Sequence, residues 1–580
     1  VVFFYASVFY AAERQNKYYN FITYILQEKH IFNLSNSKNM IMKRISYVAF
    51  LFLITSLNAQ QQRPKLVVGI VVDQMKPDYL QRFYNDFGDN GFKRLLKEGY
   101  TFHNTHYDYL PTYTAPGHAS IYTGATPSVH GIVGNEWFSR RLQKERYCTD
   151  DADVQIIGNS SKGDDPMSPK NLLSTTITDE LRLSTNFKGK VIGMSIKDRG
   201  AILPAGHFAN WAFWFSKTGS FISSTFYGPT LPNWVNEFNN EKHYLPYLNK
   251  NWDLLRPLST YNESLSDDNP YEGKLYKVDK PVFPYDLKSM LDKNDPGVIR
   301  TTPFGNNFLA DFAKKAIEKE ELGKDEVTDF LAVSFSSTDY IGHILGPRSI
   351  ELQDTYLRLD ETIADLLNYL DKTVGKGNYL LFLTADHGGA ENVQFLKENK
   401  YNVTNVEPKE ITKGLKKFST DIFGEDLIIN YSNFNVYFDT EKIKTKGLEL
   451  SKVKELFKAY LIKQDHVKRV YTEEEVLANN GSDFHLNCIA KGYDPKENGD
   501  LVIIDKPGYI EYGLTGTSHG TTFSYDTHVP LIFFGWNIKA GETNDRKEIT
   551  EIAPTIAQKI NITLPNGTEA KVLNEVLNSK

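Results

Sequence analysis

"KLVVGIVVDQMKPDYL", residues 65–80, decides the fold. Leu66 to Val72 is an unbroken apolar run rich in β-branched side chains, and Asp73 ends it. A strand apolar on both faces belongs inside a parallel-type sheet covered by helices. Working outward, "GKVIGMSIKDRGAILPAG" (189–206), "DEVTDFLAVSFSSTDYIGH" (325–343), "NYLLFLTADHGG" (378–389) and "HVPLIFFG" (528–535) repeat the pattern. Between them, residues 349–373 place Leu359, Ile363, Leu366, Leu367 and Leu370 at spacings of three and four, which lines one helix face. "GFKRLLKEGYTF" (91–102) also has helical spacing, and "EITEIAPTIAQKI" (548–560) reads as a closing helix. Strands alternating with helices predict an α/β fold: a central, mostly parallel sheet flanked by helices. Residues 207–300, rich in Asn, Tyr, Trp and Pro, and residues 391–510, with charged helices and short strands, break the rhythm. Both read as insertions capping the sheet.

A chain of 580 residues exceeds one ordinary compact core, which fits a large domain with insertions. The net charge is −6 with no long basic run, so nucleic-acid binding has no electrostatic support. Cys148 and Cys488 form no CxxC pair, which argues against a thiolate zinc site and leaves their pairing open. "MIMKRISYVAFLFLITSLNAQ" (40–60) has Lys43 and Arg44, then an apolar run, then small residues before Gln60. That is the pattern of a secretory signal, read over 40–59 with cleavage near Ala59. Residues 1–39 precede the first methionine and read as an upstream extension. Residues 63–580 read as one domain with its insertions. The mature chain is expected to be periplasmic or secreted, without membrane contact.

Open α/β sheets collect ligands outside the carboxyl ends of their strands. Asp73, Asp339 with His343, and Asp386 with His387 fall at such ends, and His519 lies in the small-residue loop "GTSHGT". Each alone has an ordinary reading as a turn or cap residue. Together they bring three carboxylates to one rim, where like charges raise one another's pKa unless a cation lies between them. Imidazole and carboxylate donors without thiolate suit Zn²⁺ or a similar first-row metal. Paired ions are the usual arrangement for phosphoryl transfer.

"LPTYTAPGHASIYTG" (110–124) adds a hydroxyl, Thr114, just ahead of Pro116 and Gly117 where a helix can start. Thr and Pro are ordinary at helix starts. Beside a dication the same hydroxyl becomes a nucleophile, and a helix N-terminus is expected to turn backbone N–H groups toward a bound anion.

"VVDQMKPDYL", "PTYTAPGHASIYTGATPSVHGIVGN", "DYIGH", "TADHGG" and "GTSHGT" occur in an order that resembles the alkaline phosphatase superfamily, over nearly all of residues 65–560. Within it the chain is most similar to exported, monomeric PafA-type phosphatases with a threonine nucleophile. The resemblance implies two zinc ions. Asp73, Thr114, Asp386 and His387 match the ligands of the nucleophile-activating zinc, and Asp339, His343 and His519 those of the zinc facing the leaving group. It implies that Asn135 donates to a phosphoryl oxygen and that Lys197 and Arg199 grip a dianion. The expected reaction is hydrolysis of small phosphate monoesters through a phosphothreonine at Thr114. His118 and His130 read as structural.

Four other readings compete with this one. A nucleotide phosphodiesterase or pyrophosphatase of the same superfamily shares the metals and the threonine. A sulfatase needs Cys or Ser at 114 and Arg at 118, where Thr and His stand. A phosphosugar mutase conflicts with export. A non-enzymatic phosphate-binding protein does not need the intact Thr114 and all six Asp/His groups.

Overall fold

The computed structural model describes residues 63–577; the extension and signal read at 1–59 lie outside the described residues. The central sheet has eleven strands. In chain order they are β1 (Leu66–Val72), β2 (Tyr100–His106), β3 (Ile156–Ile157), β4 (Val191–Ser195), β5 (Trp211–Phe215), β6 (Phe221–Ser224), β7 (Asp329–Phe335), β8 (Tyr379–Thr384), β9 (His528–Gly535), β10 (Gly541–Thr543) and β11 (Lys547–Glu548). Their spatial order is β10-β2-β9-β8-β1-β7-β4-β5-β6-β3, with β11 also on β2.

The middle of the sheet is parallel: β1 pairs with β7 and β8, β7 with β4, and β4 with β5. Every residue of β1, β7, β4 and β8 is buried, as continuous apolar runs require when both faces are covered. The helices Thr114–Thr123, Asp198–Ala205 and Ile552–Lys559 form one covering group. Phe304–Lys319, Ser337–Leu345 and Ile350–Leu370 form the other. Gly69 in β1 lets the first group close down: a Cβ there would strike the hydroxyl of Tyr122 and the ring of Phe382, 2.7 Å away.

Three readings change. The spacing at 91–102 predicts one helix, but the helix ends at Glu98 and Tyr100 starts β2. Gly99 is extended there, packed against Leu95 and Phe533 backbone, and its N–H closes the last helical turn on Leu95. The run at 528–535 is a buried strand, but it is antiparallel to both β8 and β2. Residues 211–215 and 221–224, read as part of the first insertion, are β5 and β6 of the central sheet. Their aromatic side chains hid the strand pattern.

The second insertion builds its own four-stranded antiparallel sheet from Ile428–Ser432, Asn435–Phe438, Leu501–Asp505 and Val467–Thr472. It carries a separate core around Leu415, Val436, Phe457 and Leu501. Its hairpin tip, Asn433–Phe434, has both residues at positive φ, 49° and 64°. Cys148 and Cys488 are each buried and unpaired. Among the described residues no helix is long and apolar enough to cross a membrane.

Candidate metal and phosphoryl-transfer centre

The parallel strands end on one rim, and the acids read from the sequence follow them. Asp73 comes directly after β1, its N–H on Phe335 O at 2.9 Å. Asp339 lies in the first turn of the helix after β7, and His343 one turn on, their side chains 3.1 Å apart. Asp386 and His387 follow β8. His519 comes from the loop before β9, its Nε2 3.9 Å from Asp339 Oδ1.

Two overlapping groups have ligand atoms within 4.8 Å of one another: Asp339, His343 and His519, and Asp73, Asp339 and His387. Asp339 faces both. Asp386 lies beside the second group, its Oδ2 3.6 Å from His387 Nε2. Thr114 Oγ1 is 3.4 Å from His387 Nε2, on the same side.

The imidazoles are oriented from behind. Nδ1–H of His343 donates to Thr517 O, that of His519 to Thr112 O, and that of His387 to Gly388 O, each at 2.8 Å. A carbonyl only accepts, so Nδ1 holds a proton and Nε2 is the nitrogen turned toward the carboxylates, as metal-binding histidines require; at His343 burial is outweighed by the adjacent Asp339, which raises its pKa. Burial lowers the pKa of His387 to about 3, which keeps it neutral. His519 is held well below its ordinary value by burial and by His387 and His343.

The acids are only partly neutralised by the side chains around them. Asp73 Oδ1 and Asp386 Oδ2 are buried without a hydrogen-bond partner. Burial, then the neighbouring Asp73, pushes the Asp386 carboxyl well above the usual carboxylate range. Burial also opposes ionisation of Asp339, but His343 and Lys197 outweigh it and hold that carboxyl low. The ammonium of Lys197 lies 2.6 Å from Asp73 Oδ2 and 2.6 Å from Asp339 Oδ2. Unpartnered carboxylate oxygens and inward Nε2 atoms fit cations bound among these groups, and the nitrogen and oxygen donors suit a zinc-like ion.

The helix Thr114–Thr123 begins at Thr114 itself. Its first turn offers less to an anion than the sequence predicts. Ala115 N–H is taken by Asn135 Oδ1 at 2.8 Å, Pro116 has none, and Gly117 N–H goes to Tyr113 O. The bond from Ala115 fixes the Asn135 amide by its oxygen end, leaving Nδ2 to donate. Gly117 is required for space: a Cβ there would run into the carbonyl of Asp386.

Lys197 is turned onto the carboxylates, whereas Arg199 lines a cleft of about 480 Å³ together with Lys197, Tyr147, Tyr340 and Glu136. Arg199 Nη1 donates to Tyr147 OH at 2.9 Å, and Tyr147 OH donates to Asp198 Oδ1 at 2.9 Å. His118 holds the helix to the sheet through Thr114 O and Ser334 Oγ, each at 2.8 Å.

Two residues escaped the sequence reading. Gln74, at φ 62°, donates its N–H to Asp386 Oδ1 at 3.2 Å and its Nε2 to Asp339 Oδ1 at 2.9 Å. Tyr147 orients Arg199. Neither belongs to a periodic pattern; a polar residue directly after a strand-end aspartate was the available signal for Gln74.

The family described as type I phosphodiesterase / nucleotide pyrophosphatase matches residues 67–526. The chain belongs to this family. It is a PafA-like member of the alkaline phosphatase superfamily: it is 46% identical over 518 residues to alkaline phosphatase PafA of Elizabethkingia meningoseptica, covering 89% of this chain and 95% of that one. It is 47% identical over 523 residues to alkaline phosphatase PhoV of Synechococcus elongatus, covering 89% and 93%. The crystal structure of wild-type PafA superimposes with a TM-score of 0.86 at 45% identity, over 89% of this chain and 99% of that one. The PafA-like fold therefore spans the described catalytic domain.

Proposed function

We propose that this chain is a metal-dependent phosphate monoesterase acting through a phosphothreonine at Thr114, with two zinc ions. The observation that carries this reading is the convergence of Thr114 Oγ1, three histidine Nε2 atoms and three carboxylates on one buried rim. Identity to proteins named alkaline phosphatase over most of both chains supports the reaction class. A variant of PafA in the solved structures replaces a threonine, an asparagine, a lysine and an arginine. Thr114, Asn135, Lys197 and Arg199 are the same types in the same order and at the same spacings.

Asp73, Asp386, His387 and Thr114 would hold one ion, and Asp339, His343 and His519 the other. Bound there, such ions supply Lewis acidity that favours the ionised threonine and the departing alkoxide. The residues themselves do the rest. Thr114, fixed at a helix start against the rim, presents Oγ1 for in-line attack on phosphorus. Asn135 donates Nδ2 to a phosphoryl oxygen. Arg199 offers a planar fork suited to two oxygens, and Lys197 a compact charge. Water then attacks the phosphothreonine and releases phosphate.

The family description includes diesterases, so charge decides between substrates. A monoester dianion gains from both cations, whereas a diester carries one charge fewer. The reading further takes the enzyme to be a soluble monomer outside the cytoplasm. The test is trapping of radiolabelled phosphate on Thr114 at low pH, together with kcat/KM for a monoester and a diester. Label at Thr114 and a monoester preference reduced by Arg199→Ala are expected. A diester preference indifferent to Arg199→Ala would overturn it.

A further inference from the structure

The second insertion reaches the neighbourhood of the rim through a hairpin. Its strands Ile428–Ser432 and Asn435–Phe438 are joined by a two-residue turn, Asn433–Phe434, with Ser432 opposite Asn435. Both turn residues have positive φ, 49° and 64°. Two-residue hairpin turns favour that backbone, but with glycine at the second position. Asparagine tolerates it; a phenylalanine there is strained, and such strain persists only where the surroundings hold it.

The tip is held from two sides. Phe434 is buried in a cluster with Leu110, Tyr471, Ile489 and Tyr493, and Tyr113 packs against that cluster. Leu110 and Tyr113 belong to the segment that leads into Thr114. On the other side, Asn433 Nδ2 donates to Glu136 O at 2.7 Å. A Cβ on Gly134 would lie 2.7 Å from the same Nδ2, so the amide sits directly over that glycine. Asn435 Nδ2 donates to Asn433 O at 2.7 Å, which steadies the turn.

Gly134 and Glu136 flank Asn135. Asn135 itself accepts Ala115 N–H at Oδ1, 2.8 Å away, and Cys148 N–H at its carbonyl, 2.9 Å away. Glu136 opens a strand, Glu136–Ser139, that pairs with Lys144–Tyr147. That second strand has its own tie to the insertion, Asn430 Nδ2 donating to Glu145 Oε1 at 2.6 Å. Loss of the Asn433 amide therefore frees the end of the hairpin next to Asn135 while its partner strand stays tied.

We infer that Asn433 is a positioning residue for Asn135: by holding the Glu136 carbonyl and covering Gly134, it fixes the loop from which the Asn135 Nδ2 donor is presented. The inference rests on the role given to Asn135 in the proposed reaction. Hydrogen bonds weaken steeply when misaligned, so a loop released at Glu136 aims that donor poorly.

The test uses full-length, zinc-loaded protein and p-nitrophenyl phosphate. Asn433→Gly removes the amide and keeps the turn, because glycine accepts positive φ. The expected loss in kcat/KM is about tenfold, with zinc content and Tm at wild-type values. The loss divides between kcat and KM as it does in Asn135→Ala. In the Asn135→Ala background Asn433→Gly costs less than about twofold more, because the group it aims is gone. Asn433→Asp, of the same shape without the N–H donor, gives the same direction and decides the matter if the glycine variant fails to fold. Wild-type kcat/KM in the Asn433 variants, a full further loss in the Asn135→Ala background, or a loss that follows zinc content or Tm would each overturn the inference and leave the role of Asn135 standing. Wild-type activity in Asn135→Ala would overturn that role, and this inference with it.

Discussion

Gln74 reaches from the end of β1 to Asp339, its Nε2 donating to Oδ1 at 2.9 Å. The same residue caps Asp386 with its backbone N–H, so one glutamine fixes acids that follow two other strands. Gly342 and Gly389 leave it room: a Cβ at either would press on its side chain. Gln74→Ala is expected to lower zinc affinity about 10–100-fold, as loss of a partner behind metal ligands does. Gln74→Gly removes the strain of φ 62° as well as the amide. Both variants should lose zinc faster than the wild type in dialysis against a chelator. Wild-type retention in Gln74→Gly would show that the amide is dispensable.

Gly117→Ala adds one methyl group where the helix Thr114–Thr123 meets the Asp386 carbonyl. The helix and the metal rim cannot both keep their places. Activity should fall at least 100-fold and bound zinc should drop, while far-UV circular dichroism stays unchanged because the conflict is local. Wild-type activity would show that the helix yields freely.

Tyr147→Phe leaves the ring but removes the hydroxyl that joins Arg199 to Asp198. A hydrogen bond to a charged group contributes about 1.5–3 kcal/mol. Losing this one should lower monoester kcat/KM about tenfold with little change for a diester. A parallel loss on both substrates would instead mean a general disturbance of the cleft.

His130 gives stability a pH dependence. It is wholly buried between Ser120 Oγ at 3.0 Å and Ile132 N–H at 3.1 Å, and burial lowers its pKa to about 3. The unfolded chain binds that proton near pH 6.5, the folded chain only near 3. Stability from this group is therefore full above pH 6.5 and is lost as pH falls toward 3. The slope approaches about 1.4 kcal/mol per pH unit. His130→Gln, which cannot titrate, should flatten urea-denaturation stability against pH between 6 and 4. An unchanged slope would remove His130 from the account.

The buried strands were legible because β-branched apolar runs have few other uses. β1, β7 and β8 are found where "LVVGIVV", "FLAVSF" and "YLLFLT" stand. The Asp339–His343 contact was legible because four residues make one helical turn. β2 was not, since "LLKEGYTF" continues a helical spacing and only the backbone at Gly99 marks the change. β5, "WAFWF", was hidden because aromatic residues also fill loops packed on a core. Gln74 and Tyr147 depend on a left-handed backbone angle and on a hairpin brought close from elsewhere, and neither leaves a periodic trace.

The rim takes its acids and imidazoles from Asp73 near one end of the domain to His519 near the other. A chain emerging from the ribosome with its first strand folded would hold a lone carboxylate, and no shorter fragment ending before His519 could close the set. On the proposed reading, a product stopped before His519 lacks part of the set and stays inert however well its leading part folds.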